Sequence, residues 1–128
     1  MNTYKFRVRP YFKTSLHYLE WKTLISDVKR EDKKLYVLND VVLHMKERLA
    51  AQEVKLQIED FKGLRHDQRF SLSDESNQFV REFAERNQLL LAEGLEVLLY
   101  LYCEQEFSQK EMKENGLNNW NIKVEWKK

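Results

Sequence analysis

The sequence predicts an α+β fold: one domain over residues 1–128, with short strands and about four helices. Short stretches of strict apolar/polar alternation are interspersed with longer stretches whose apolar residues recur at helical spacing. One Pro and three Gly leave little room for long linkers or disorder. A composition of 42% hydrophobic and 34% charged residues describes a charge-rich globule long enough to bury its own core.

The elements follow in order. Tyr4-Lys5-Phe6-Arg7-Val8-Arg9 alternates with period two, which predicts a half-buried strand with Tyr4, Phe6 and Val8 inward, ended by Pro10. Ser15 is placed to cap a helix to about Arg30, with Leu16, Leu19, Leu24, Ile25 and Val28 on its core side. Lys29, Arg30, Lys33 and Lys34 crowd its end, where cations suit the helix dipole. The run Leu35-Tyr36-Val37-Leu38 reads as a short strand. Asn39 or Asp40 then starts a helix through about Ala50 that buries Val41 or Val42, Met45 and Leu49. Val54 to Ile58 alternates again, and Lys62-Gly63 supplies a turn that closes an N-terminal α+β part, residues 1–62.

Residues 67–102 form a distinct strand-helix-helix stretch. Arg69-Phe70-Ser71-Leu72 alternates, and Ser73-Asp74-Glu75 joins an N-cap to a negatively charged first turn. Phe79, Val80, Phe83 and Ala84 share one helical face. After a break at Asn87-Gln88, a helix from about Leu90 to Glu114 is apolar almost all round, which calls for enclosure by protein on most sides. Asn115-Gly116 ends it. A C-terminal strand over 119–127 carries the alternation from Trp120 to Trp126. No internal repeat is evident.

Net charge is +1 but unevenly spread: residues 1–34 hold nine Lys/Arg against four Asp/Glu, and residues 63–115 hold six against eleven. A polyanionic ligand would favour the N-terminal region. The single Cys103 excludes an internal disulfide and fits a reducing cytoplasm. The first twelve residues lack the continuous apolar stretch of a signal peptide. The apolar run Leu89 to Cys103 is broken by Glu93 and Glu96 and is too short to span a bilayer, so no membrane partner is expected. No phosphate-cradling Gly loop, catalytic signature or Cys/His metal spacing is present, so neither an enzyme nor a cofactor is expected.

Residues 67–102 resemble the ribbon-helix-helix family of DNA-binding proteins. Phe70 and Leu72 match its core-facing strand positions. Arg69 and Ser71 match the base-facing ones, with Asp67 a third. Ser73-Asp74-Glu75 matches the cap of its first helix, and Ala92-Glu93-Gly94-Leu95 matches the small-Glu-small-apolar pattern of its second. The resemblance implies that two chains pair this strand antiparallel, that the ribbon enters the major groove, and that the second helix offers its N-terminal N–H groups to a phosphate. Arg can donate two hydrogen bonds to guanine, and Ser can donate or accept at several base edges. The chain departs from the family in having Gln88 where Gly is frequent and Leu90 where Ser or Thr is frequent. The same residues also fit an ordinary strand and helix hairpin packed inside a monomeric α+β domain.

The expected function is therefore a small cytoplasmic DNA-binding regulator acting as a homodimer on double-stranded DNA. Arg69 and Ser71 would read bases, while Arg65, Lys5, Arg7 and Arg9 would hold the backbone. The alternative is a non-enzymatic protein-binding module, such as an inhibitor, immunity or adaptor protein. It would meet its partner through the basic front or the Trp-bearing last strand. His17 with Glu20 and His44 with Glu47 have helical metal-site spacing, yet each would need further carboxylates; solvated or core-edge histidines are the expectation.

Overall fold

A computed structural model describes residues 1–26, 30–58, 64–118 and 122–127, with the side chains of 23–26 and 30–36 left out. Among these residues the α+β chain forms five helices and four short strands. Their order is β1 (Asn2–Val8), α1 (Pro10–Ser26), α2 (Arg30–Ala51), β2 (Val54–Ile58), β3 (His66–Leu72), α3 (Asp74–Arg86), α4 (Leu91–Glu106), α5 (Gln109–Glu114) and β4 (Ile122–Trp126). The strands make two separate antiparallel ribbons, β1 with β3 and β2 with β4.

Several boundaries differ from the sequence reading, each for a physical reason. α1 begins at Pro10, because the fixed φ of proline suits a first helical position and its missing N–H is not needed there. Ser15 is thus no cap; it is buried inside the helix. The expected strand Leu35–Leu38 is part of α2. A short apolar run carries no period of its own, and the helical spacing appears only when Val37 and Leu38 are taken with the buried Val41, Val42 and Met45. Asn39, expected near a helix start, lies mid-helix and accepts a hydrogen bond from the Ser73 N–H at 2.8 Å. The long C-terminal helix breaks after Glu106, and Ser108 caps a new turn by accepting from the Glu111 N–H at 3.0 Å. The Lys62-Gly63 turn, Val28, Trp120 and the side chains of Leu24, Ile25, Arg30, Lys33 and Lys34 lie outside the described residues.

The strand-helix-helix stretch folds as read. Ser73 Oγ accepts from the Ser76 N–H, and Val80, Phe83 and Ala84 are buried on one face of α3. α4 is buried nearly all round, by Leu95, Val97, Leu98, Leu99, Leu101 and Cys103. Its enclosing neighbours are α1, α2, α3 and β1 of the same chain, so its apolar surface is consumed in the chain's own core.

The topology contains a duplication that the sequence conceals. The order strand-helix-helix-strand occurs twice, β1-α1-α2-β2 and then β3-α3-α4-β4, with α5 added in the second half. Asn2–Val8 corresponds to His66–Leu72, and the same spacing carries Pro10, which opens α1, onto Asp74, which opens α3. First strands pair with each other and last strands pair with each other. In β1–β3 the residues at the centre of the register, Lys5 and Arg69, are equivalents; in β2–β4 the same holds for Leu56 and Val124. A local two-fold axis therefore passes through both ribbons. The helices obey it: α2 packs on α4, α1 on α4 as α3 on α2, and β1 on α4 as β3 on α2. The two halves clasp each other around one hydrophobic core.

Candidate nucleic-acid interface

The β1–β3 ribbon sets out the expected site residues. Its inward side chains, Phe6, Val8 and Leu72 with the half-buried Tyr4 and Phe70, cover the core. Phe70 stacks edge-on against Phe12 of α1, with ring centroids 5.1 Å apart. The alternate residues must then face outward. They form three cross-strand pairs: Thr3 with Ser71, Lys5 with Arg69, and Arg7 with Asp67. Lys5 and Arg7 are 56% and 74% exposed, and Arg69 is exposed as well. Asp67 draws on two cations, with Lys5 Nζ at 3.2 Å and Arg7 Nε at 3.4 Å, both in solvent and therefore weak and exchangeable.

Four expected site residues, Lys5, Arg7, Arg69 and Ser71, thus share one face of one ribbon. The pairing itself differs from expectation. β3 finds its partner in β1 of its own chain, so the ribbon needs no second chain.

Arg9 and Arg65 are not on that face. Alternation would place Arg9 outward with Lys5 and Arg7, but the strand ends at Val8 and the chain turns into α1, where the Arg9 carbonyl accepts from the Phe12 N–H. The side chain swings inward and is 2% exposed. Its Nε donates to Glu96 Oε2 at 2.8 Å, and its backbone N–H donates to the same oxygen at 3.3 Å. Arg65 donates through Nη1 to Glu96 Oε1 at 2.8 Å and to the Arg7 carbonyl at 3.0 Å. Glu96, on α4, is fully buried. Both arginines, expected to hold a DNA backbone, are instead occupied in tying the start of β3 and the end of β1 to α4. Glu96 is the residue that sequence reasoning missed. The available signal was a carboxylate set between Leu95 and the run Val97-Leu98-Leu99, in the most apolar part of the helix, since a buried charge requires a partner.

The start of the second helix carries its own acidic residue. The Leu90 N–H at the start of α4 donates to Glu93 Oε1 at 2.9 Å, so a carboxylate already covers that terminus. At the other end of the ribbon, Asp74 on α3 accepts from Asn2 Nδ2 at 2.9 Å and from the Tyr4 hydroxyl at 3.1 Å.

Away from the ribbon, Cys103 lies deep in α4, where burial, assisted by Glu106, pushes its thiol up to about 12. Such a thiol stays protonated and is a poor nucleophile or ligand. His44 is exposed and packs edge-on against Tyr102. No group of three or more His, Cys, Asp or Glu gathers among the described residues, and no described helix is long and apolar enough to cross a membrane. Trp126 lies under the Arg48 guanidinium at 4.1 Å, which ties the last strand to α2. No protein-family model matches the chain, and neither a curated protein nor a solved structure is detectably similar to it.

Proposed function

We propose that the chain binds double-stranded DNA as a regulator by laying the outer face of the β1–β3 ribbon in the major groove. The supporting observation is the gathering of Lys5, Arg7 and Arg69 with Thr3 and Ser71 on one exposed, two-stranded face backed by the core. A two-stranded ribbon fits the width of that groove, and these side chains supply donors suited to guanine and to hydroxyl-tolerant base edges. Lys5 and Arg69 at the centre carry the base reading. Arg7, paired with Asp67 at 3.4 Å, adds a donor at one end of the face. The resemblance of residues 67–102 to ribbon-helix-helix proteins supports the same reading, with both strands of the ribbon drawn from one chain.

Fluorescence anisotropy on a mixed duplex library at low ionic strength tests it. Retention should fall with added salt, because phosphate contacts release counterions. Arg69→Ala should lose roughly 1–3 kcal/mol of discrimination at one base pair. Indifference to every duplex at low salt would remove this reading.

The protein-binding alternative is favoured by one observation: among the described residues each strand has a single hydrogen-bonded neighbour, so each ribbon offers edges for strand addition. A chain that ignores DNA but captures an extended peptide would select it.

A further inference from the structure

The two-fold relation between the halves is broken most sharply on the outer face of the β1–β3 ribbon. A ribbon made by two identical strands presents the same residues at both ends. Here Thr3, Lys5 and Arg7 correspond to Asp67, Arg69 and Ser71, and only the central pair is alike in chemistry. The antiparallel register then collects the hydroxyls at one end, Thr3 opposite Ser71. It collects the charges at the other, Arg7 opposite Asp67.

The flanks differ in the same sense. The first turn of α1, beside the charged end, holds no acidic residue, and exposed Lys13 and His17 line a notch there with His66. The first turn of α3, beside the hydroxyl end, carries Asp74 and Glu75. The two flanks of the ribbon, which a symmetric dimer would make identical, therefore differ in charge.

Resting on the DNA-binding reading above, we infer that a single chain recognises a non-palindromic duplex site in one fixed orientation. Lys5 and Arg69 lie over the centre of the site. The Arg7–Asp67 end reads one flank, where Arg7 meets guanine acceptors and Asp67 accepts from a cytosine amino group. Thr3 and Ser71 tolerate more bases at the other flank. Phosphates are attracted to the α1 side, with Lys13, and disfavoured on the α3 side, where Asp74 is exposed and Glu75 is neutralised only by its pair with Lys46 at 2.9 Å. No second chain is needed, since both strands of the ribbon belong to one polypeptide.

The test is selection of bound duplexes from a random library by the full chain, followed by sedimentation with the enriched duplex. The expected result is a motif without inverted symmetry, bound by one chain per duplex. Reversing the flank that faces Arg7 should weaken binding at least about fivefold. The double variant Asp67→Thr with Ser71→Arg gives both strands the Thr-cation-Arg pattern at exposed or half-exposed positions. It should retain its fold by circular dichroism and enrich an inverted repeat. An inverted-repeat motif from the unaltered chain, bound by two copies, overturns fixed orientation while leaving DNA binding intact. Failure of the unaltered chain to retain any duplex at low salt overturns both.

Discussion

Glu96→Ala would leave the Arg9 guanidinium inside the protein without its carboxylate. Glu96 accepts three hydrogen bonds, from Arg9 Nε, from the Arg9 backbone N–H and from Arg65 Nη1. The two arginines respond differently to its loss. Arg65 is 19% exposed and has Glu93 at 3.8 Å, so it can turn toward water or its second carboxylate at small cost. Arg9 has almost no exposure and cannot follow. Removing one member of a buried pair typically costs about 3–5 kcal/mol, against a total stability of roughly 5–15 kcal/mol for a domain. For a chain of this length that corresponds to a Tm lowered by roughly 10–20 °C. Urea unfolding followed by tryptophan fluorescence, with an unchanged m-value, measures it. The double variant Arg9→Met with Glu96→Leu should recover most of the loss, because a well-packed apolar pair replaces a desolvated ionic one. A loss below about 1 kcal/mol for Glu96→Ala would refute the claim that this carboxylate anchors the ribbon.

Three further outcomes are expected. A Cβ on Gly94 would meet the Ala84 Cβ at 2.9 Å where α3 and α4 cross, so Gly94→Ala should destabilise by about 1–2 kcal/mol despite the better helix propensity of alanine; adding Ala84→Gly should restore most of it in the same urea titration. Cys103 should resist iodoacetamide at neutral pH in the folded chain and react fully in denaturant, and rapid labelling without unfolding would contradict its placement. The Tyr18 hydroxyl and then Lys22, at 2.9 Å, donate to Glu111 and hold its carboxyl below the usual range. The stabilisation this gives is present above the unfolded carboxyl value of about 4.3 and fades as pH falls through the lower folded one; the Tm advantage over Glu111→Gln should therefore shrink toward acid, and a constant difference would show that ionisation is not involved.

Much of the local structure was legible because its causes are local. Ser73 with Asp74 and Glu75 marks a helix start, and Phe79, Val80, Phe83 and Ala84 mark its inner face without reference to the rest of the chain. The misreadings fall where local signals conflict or are silent. Asn39 looks like a cap because it is polar beside an apolar run, yet it sits on the buried side of α2 to receive the Ser73 N–H. Lys5, Arg7, Arg69 and Ser71 were each nameable, but their meeting depends on a register between strands some sixty residues apart, which neither segment encodes alone. Arg9 was misplaced because alternation predicts direction only while the strand lasts. The duplication was hidden because, from Asn2 to Lys22 and its equivalent stretch, Phe6 and Phe70 are the sole identical pair. Leu16 with Val80 and Leu19 with Phe83 keep only size and burial, which is all that packing requires.

The crossed pairing of the two halves also governs how the chain comes into being. β1 waits for β3 and β2 waits for β4, so the half that leaves the ribosome first carries two strands with nothing to zip against. Closing such distant contacts makes folding slow relative to a helical bundle of equal size, and it exposes bare strand edges to other nascent chains in the interval. A polypeptide cut between Ile58 and Leu64 should behave as two fragments that gain order only by meeting, each serving as the template for the other.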